Sequence, residues 1–92
     1  MAEELVDNVE RSRYEYRVDG GMGIVDYRRK NGTIALLHTE VPPELGGRGI
    51  ATRMVRAVLD ILRAKGDRIV SHCTFVDAFI RANPEFQDLV LK

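Results

Sequence analysis

Val41-Pro42-Pro43-Glu44-Leu45-Gly46-Gly47-Arg48-Gly49-Ile50-Ala51 is the stretch on which the fold turns. Two prolines follow an apolar strand pattern and stop it, because neither can donate a ladder hydrogen bond. Three glycines in the four positions 46–49 then strip side chains from a turn, so that backbone N–H groups can approach a ligand closely. Beyond them Ile50, Met54, Val58, Leu59 and Leu62 recur at helical spacing, with Arg53, Arg56, Asp60 and Arg63 on the other face. A helix starting here offers unpaired N–H groups and the positive end of its dipole. Glycine loop and helix start together suit an anion, most naturally a phosphate or pyrophosphate, with Arg48 and Arg53 as charged helpers. The spacing is neither G-x-G-x-x-G nor G-x-x-x-x-G-K-[ST], so neither a Rossmann site nor a P-loop is supported. The plain alternative is a flexible strand-to-helix connection that binds nothing.

Upstream of the loop the chain reads as strands. Leu5 to Val9 is a short candidate. In Arg13 to Val18, Tyr14, Tyr16 and Val18 alternate with charged residues, the period of a half-buried strand. Asp19-Gly20-Gly21 and Asn31-Gly32 are hairpin turns, framing a strand over Met22 to Arg29. Thr33 to Val41 completes an antiparallel meander. Downstream, the long helix should end at Lys65-Gly66, with cations at its negative end and glycine just past it. Arg68 to His72 reads as a strand, and Phe75 to Asn83 as a second helix halted by Pro84. The expected order is β-β-β-β-α-β-α, an α/β (α+β) fold with a mixed, mostly antiparallel sheet of about five strands and two helices.

At 92 residues the chain is expected to form a single domain over residues 1–92. Lys plus Arg balance Asp plus Glu at 14 each, so no field of one sign steers it toward nucleic acid or an anionic membrane. Cys73 stands alone, which excludes an intrachain disulfide framework and a multi-cysteine zinc site. The acidic start and the lack of a long apolar run leave a cytoplasmic location as the expectation.

The run Val41 to Ala51 resembles motif A of the GCN5-related N-acetyltransferases, R/Q-x-x-G-x-G/A after a strand ending in valine. Gly49 and Ala51 match the last two fixed positions, and Gly46 stands where Arg or Gln is usual. His38-Thr39-Glu40-Val41, Cys73-Thr74-Phe75-Val76 and Asn83-Pro84-Glu85-Phe86 are similar to segments of a compact acetyltransferase-like subfamily, so the resemblance spans residues 22 to 90. It implies that the loop N–H groups hold the pyrophosphate of coenzyme A and that the strand before it lines the pantetheine arm. The implied cofactor residues are Val41, Gly46, Gly47, Arg48, Gly49, Ile50 and Ala51. The acetyl group is then expected near Thr39 to Val41, close to the end of the strand bearing His72.

Moving an acetyl group from a thioester to an amine requires loss of an amine proton, support for a tetrahedral oxyanion, and return of a proton to the leaving thiolate. Backbone N–H groups near Val41 are the candidate oxyanion donors. Cys73 should lie between the strand and the second helix, where the positive end of a helix acts on a thiol. The resembling subfamily carries a cysteine there, which brings in a covalent route; the bland reading is a small buried hydrophobe. His38 and Glu40 share a strand face, so one can serve as base while the other orients it, although each can equally be an ordinary surface residue. Larger relatives place an acidic tyrosine on the last helix, where this chain has Phe79 and Arg81. Tyr14, Tyr16 and Tyr27 read as sheet-face residues, and Arg28-Arg29-Lys30 as a solvated tip. The leading expectation is an acetyl-CoA-dependent N-acetyltransferase acting on an amine of a protein, peptide or small molecule. The alternative is a module that binds CoA or acyl-CoA without turnover. Oligomeric state is left open.

Overall fold

The computed structural model describes residues 3–18, 20–46 and 49–91. Five strands, β1 (Glu3–Asn8), β2 (Arg13–Val18), β3 (Gly21–Lys30), β4 (Thr33–Glu40) and β5 (Arg68–Ser71), form one sheet in sequence order. The first three pairings are antiparallel and β4–β5 is parallel. A parallel neighbour requires a crossover, supplied by helix α1 (Ile50–Lys65). Helix α2 (Thr74–Ala82) follows β5. The expected fold class and order are therefore present, and the differences are local. The Asn8 side chain accepts from the Arg11 N–H and turns the chain at Val9–Arg11 into one 3-10 turn, so β1 ends before Val9. Pro84 ends α2 as expected but opens a further 3-10 turn, Pro84–Leu89. From there Val90 bridges to Ile69 and the Leu91 N–H donates to the Ile69 carbonyl, lining the outer edge of β5.

One face of the sheet carries the core. Tyr14, Tyr16, Val25, Tyr27, Ile34, Leu36 and Ile69 meet Met54, Val58, Leu59 and Leu62 of α1 and Val76, Phe79 and Ile80 of α2. Burying such side chains contributes ~1.5–3 kcal/mol each and holds the sheet against both helices. Gly23 permits a close approach: a Cβ there would stand 2.9 Å from the Met54 sulfur and 3.3 Å from Val41 Cγ2. The N-terminal half of α1 is thereby drawn onto β3 beside the end of β4.

The opposite face holds a second tie. Glu15 is only 4% exposed, its carboxylate accepting from Asn8 and Arg13 at 2.9 Å and from Arg17 at 3.1 Å. Those partners, Asn8 foremost, pull its pKa down to about 2. Arg29 departs from the solvated tip expected of it, because it reaches the nearly buried Asp67 carboxylate at 3.2 Å.

Candidate functional site

Period-2 alternation places Ile34 and Leu36 of β4 in the core. Continued unchanged, it would turn His38 and Glu40 inward too. A β-bulge intervenes: Tyr27 pairs with Leu36 and Asp26 with His38, which leaves Leu37 as one extra residue on β4. One inserted residue reverses which face the following side chains occupy. Thr39 therefore sits opposite Val25 on the core face, while Leu37, His38 and Glu40 are exposed on the other.

The pairing of β4 with β5 ends at the level of the bulge. Parallel pairing runs from Thr33–Arg68 to Leu36–Ser71, closed by the His72 N–H donating to the Leu36 carbonyl at 2.8 Å. Beyond that bond β5 gives way to α2, while β4 continues along β3 to Glu40. Among the described residues, the β5-side edge of residues 37–40 has no strand beside it. The result is a notch in the sheet whose far wall begins at Cys73.

Cys73 is 7% exposed and stands immediately before α2, its carbonyl accepting the Asp77 N–H at 3.0 Å. Its sulfur lies 3.6 Å from Thr39 Oγ1, across the notch. Ser71 Oγ braces the same turn, donating to the Cys73 carbonyl at 3.2 Å and accepting its N–H at 3.4 Å. His38 and Glu40 do come together, Nε2 to Oε1 at 3.5 Å, but on the sheet face away from the thiol. Of the three expected catalytic side chains the structure thus pairs two and sets the third apart, beside Thr39. His72 takes the outer face as well, next to Ala35 and Val70, so its adjacency to Cys73 in sequence brings no contact.

At the mouth of the notch Val41 packs partly against the core, and Pro43–Leu45 forms a 3-10 turn with Leu45 buried. Gly46 is extended, its N–H donating to the Pro43 carbonyl at 3.0 Å. Gly47 and Arg48, expected to hold phosphate, lie outside the described residues. Gly49 starts α1 at φ +71°, left-handed backbone that favours glycine, and it has no side chain with which to cap the helix. Ile50 is buried and Ala51 half-buried in the first turn.

The arginines divide. Arg53 folds back toward Gly49 and is held by Glu3 of β1, Nε and Nη2 meeting the carboxylate at 2.7 to 3.1 Å. Arg56 is engaged elsewhere, donating to Asn83 at 3.0 Å and lying over the rings of Phe79 and Phe86. None of the tyrosines stands in for a missing acid: Tyr14 is buried with its pKa pushed up to about 12, and Tyr27 donates to Asp7 at 2.6 Å. Sequence reasoning missed the side chains of Thr39, Ser71 and Glu3. The only signal for Thr39 was its place between two polar residues near the strand end, which does not reveal a bulge.

A five-stranded mixed sheet whose one parallel pair is bridged by a glycine-led helix is the class of fold found in the solved structure and the family reported next. The family model described as GCN5-related N-acetyl-transferase matches residues 13–89, and the chain belongs to that family. A GCN5-like protein of Staphylococcus aureus, solved by NMR, superposes with a TM-score of 0.72 at 25% identity, over 96% of this chain and 87% of that one. Protein NATD1 of Bos taurus is 37% identical over 51 residues, 55% of this chain and 45% of its own. Protein NATD1 of Xenopus tropicalis is 33% identical over 52 residues, 56% and 48% respectively. The matched stretch spans about half the length of these curated relatives. No helix among the described residues is long and apolar enough to cross a membrane.

Proposed function

We propose that this domain transfers an acetyl group from acetyl-CoA to an amine, with the pantetheine arm lying in the notch between β4 and β5. The observation that carries this reading is the end of the β4–β5 pairing at the Leu37 bulge, just before the point where Thr39 and Cys73 meet. The donor fits the residues present: an extended strand edge at 37–40 can take an amide-bearing arm, and the uncapped start of α1 at Gly49 suits the pyrophosphate. Acetyl-CoA supplies a thioester carbonyl open to nucleophilic attack.

The chain's own groups would do the rest. Backbone N–H groups at the end of β4 and at Val41 support the oxyanion. Cys73 takes part as acyl acceptor: its sulfur bonds to the acetyl carbon as the donor's C–S bond breaks, and the thiol proton passes to the departing sulfur. The amine then bonds to the acetyl carbon, the Cys73 C–S bond breaks, and the amine's surplus proton returns to the thiol. Thr39 Oγ1 holds the sulfur in line. His38 and Glu40, exposed on the other face, are left to meet an acceptor approaching from that side. The acceptor is an amine on a protein, a peptide or a small molecule.

Intact-protein mass spectrometry after incubation with acetyl-CoA tests this directly, with Cys73→Ala alongside. One hydroxylamine-labile acetyl group on the wild type and none on the variant is the expected result. Acetylation of added amines by Cys73→Ala at the wild-type rate would remove the thiol from the route. A second reading, a module that binds CoA without turnover, is favoured by one observation: the His38–Glu40 pair faces away from Cys73. Micromolar CoA binding by calorimetry, with no adduct and no amine acetylated, would select it.

A further inference from the structure

Both helices pack on one face of the sheet, and among the described residues the other face carries none. Period-2 alternation brings Arg28 and Lys30 of β3, Thr33 and Ala35 of β4, and Val70 of β5 to that open face. Strand register sets them in a row, Arg28 opposite Ala35 and Ala35 opposite Val70. Leu91 closes the row, its N–H fixed to the Ile69 carbonyl at 2.8 Å while its side chain stands 51% exposed. The result is a groove of about 360 Å³ with an apolar floor of Ala35, Val70 and Leu91 and a rim of Arg28, Lys30 and His72. Arg28 also lines a second groove, of about 310 Å³, whose apolar walls are the exposed Val9 and Leu37.

Charge and exposure both single out this surface. Arg13, Arg17, Arg29, Arg53, Arg56 and Arg63 each meet a carboxylate, whereas Arg28 and Lys30 meet none among the described residues. Val9, Leu37 and Leu91 line the two grooves, and of the large apolar side chains exposed among the described residues only Phe75 lies elsewhere. Clustered apolar surface beside unneutralised charge is where another molecule binds, and the charge selects its complement. A nucleic acid calls for many basic contacts, and here two cations flank an apolar floor on a chain of zero net charge. The floor calls for aliphatic side chains and the rim for carboxylates. We propose that the two grooves sharing Arg28 dock a segment of another protein in which carboxylates alternate with aliphatic side chains. From Ser12, whose carbonyl accepts the Tyr27 N–H, to Leu91 the path crosses four strand spacings. That is roughly 19 Å, or about six residues of extended chain. Such docking does not depend on acetyl-CoA turnover.

Two-dimensional amide NMR of the full chain tests it, the probe being a peptide of about six residues alternating glutamate and leucine. Saturable shifts at Arg28, Thr33, Ala35, Val70 and Leu91 are expected, and a matched lysine–leucine peptide should produce none. Lys30→Glu should weaken the acidic peptide about tenfold, and Leu91→Ser by a similar factor. Lys65→Glu, an equal change of net charge at the end of α1, should leave its affinity unchanged. The absence of saturable shifts, or shifts centred on another surface, would overturn the proposal. Equal weakening by Lys65→Glu, or equal binding of polyglutamate, would reduce the effect to charge attraction alone and overturn it as well. Tighter binding of oligothymidylate than of the peptide would do the same by assigning the rim to phosphate.

Discussion

The two halves of β4 lie on one strand and behave as different kinds of structure. Thr33 to Leu36 is paired on both edges, and Ile34 and Leu36 are fully buried between sheet and helices. Leu37 to Glu40 is paired on β3 alone, its side chains mostly polar and exposed. The first half spends its backbone groups on the sheet, and the second leaves one edge for something else. One extra residue, Leu37, separates the two regimes.

The largest effect should come from the paired half. Leu36→Ala empties a fully buried site and is expected to lower unfolding free energy by about 2–5 kcal/mol in urea denaturation. Leu37→Ala, at the bulge and 38% exposed, should change it by less than about 0.5 kcal/mol. Equal losses at the two neighbours would erase the distinction drawn between the halves.

Next in size is Gly49→Ala at the mouth of the notch. Left-handed backbone costs a residue with a Cβ about 1–2 kcal/mol, so the melting temperature should fall by several degrees. CoA affinity is expected to fall with it, since strain at this position reorients the first N–H groups of α1. A variant that melts lower but binds CoA unchanged would uncouple the helix start from the ligand.

The smallest effect concerns the sheet face away from the helices. Glu15 has a pKa lowered from 4.5 to about 2, so its contribution is present above the unfolded value and is lost as pH falls toward the folded one. The melting temperature of the wild type should exceed that of Glu15→Gln at pH 7, and the gap should shrink between about pH 4.5 and 2. A gap that stays constant across that range would mean that Asn8, Arg13 and Arg17 pack around Glu15 without regard to its charge.

Much of this architecture was legible in the residues. Alternation in β2, the Asn31-Gly32 turn with φ of +52° and +77°, and the apolar stripe of α1 each rest on short-range geometry that a single sequence reveals. The site was legible only in outline. The glycines announce a loop that can approach an anion, and Cys73 stands where strand passes to helix, as its neighbours imply. Thr39 was hidden because a bulge depends on how β3 and β4 settle against each other, a matter of tertiary register that leaves no local mark. The Glu3–Arg53 pair joins residues 50 positions apart, and no periodicity relates them. Arg56 reads in the sequence only as part of the polar face of α1, and its partners Phe79, Asn83 and Phe86 come from α2 and the turn after it.

Sheet order here follows sequence order, and this has a kinetic consequence. The three antiparallel pairings are each closed by a short turn, whereas β4 and β5 meet only after all of α1 has been laid between them. Contacts that close a longer loop of chain form later, because the entropy of closure must be met first. The seam between β4 and β5 is thus expected to zip last and to open first. A molecule lodged at the end of that seam would act as a latch, slowing amide exchange along β5 far more than along the meander.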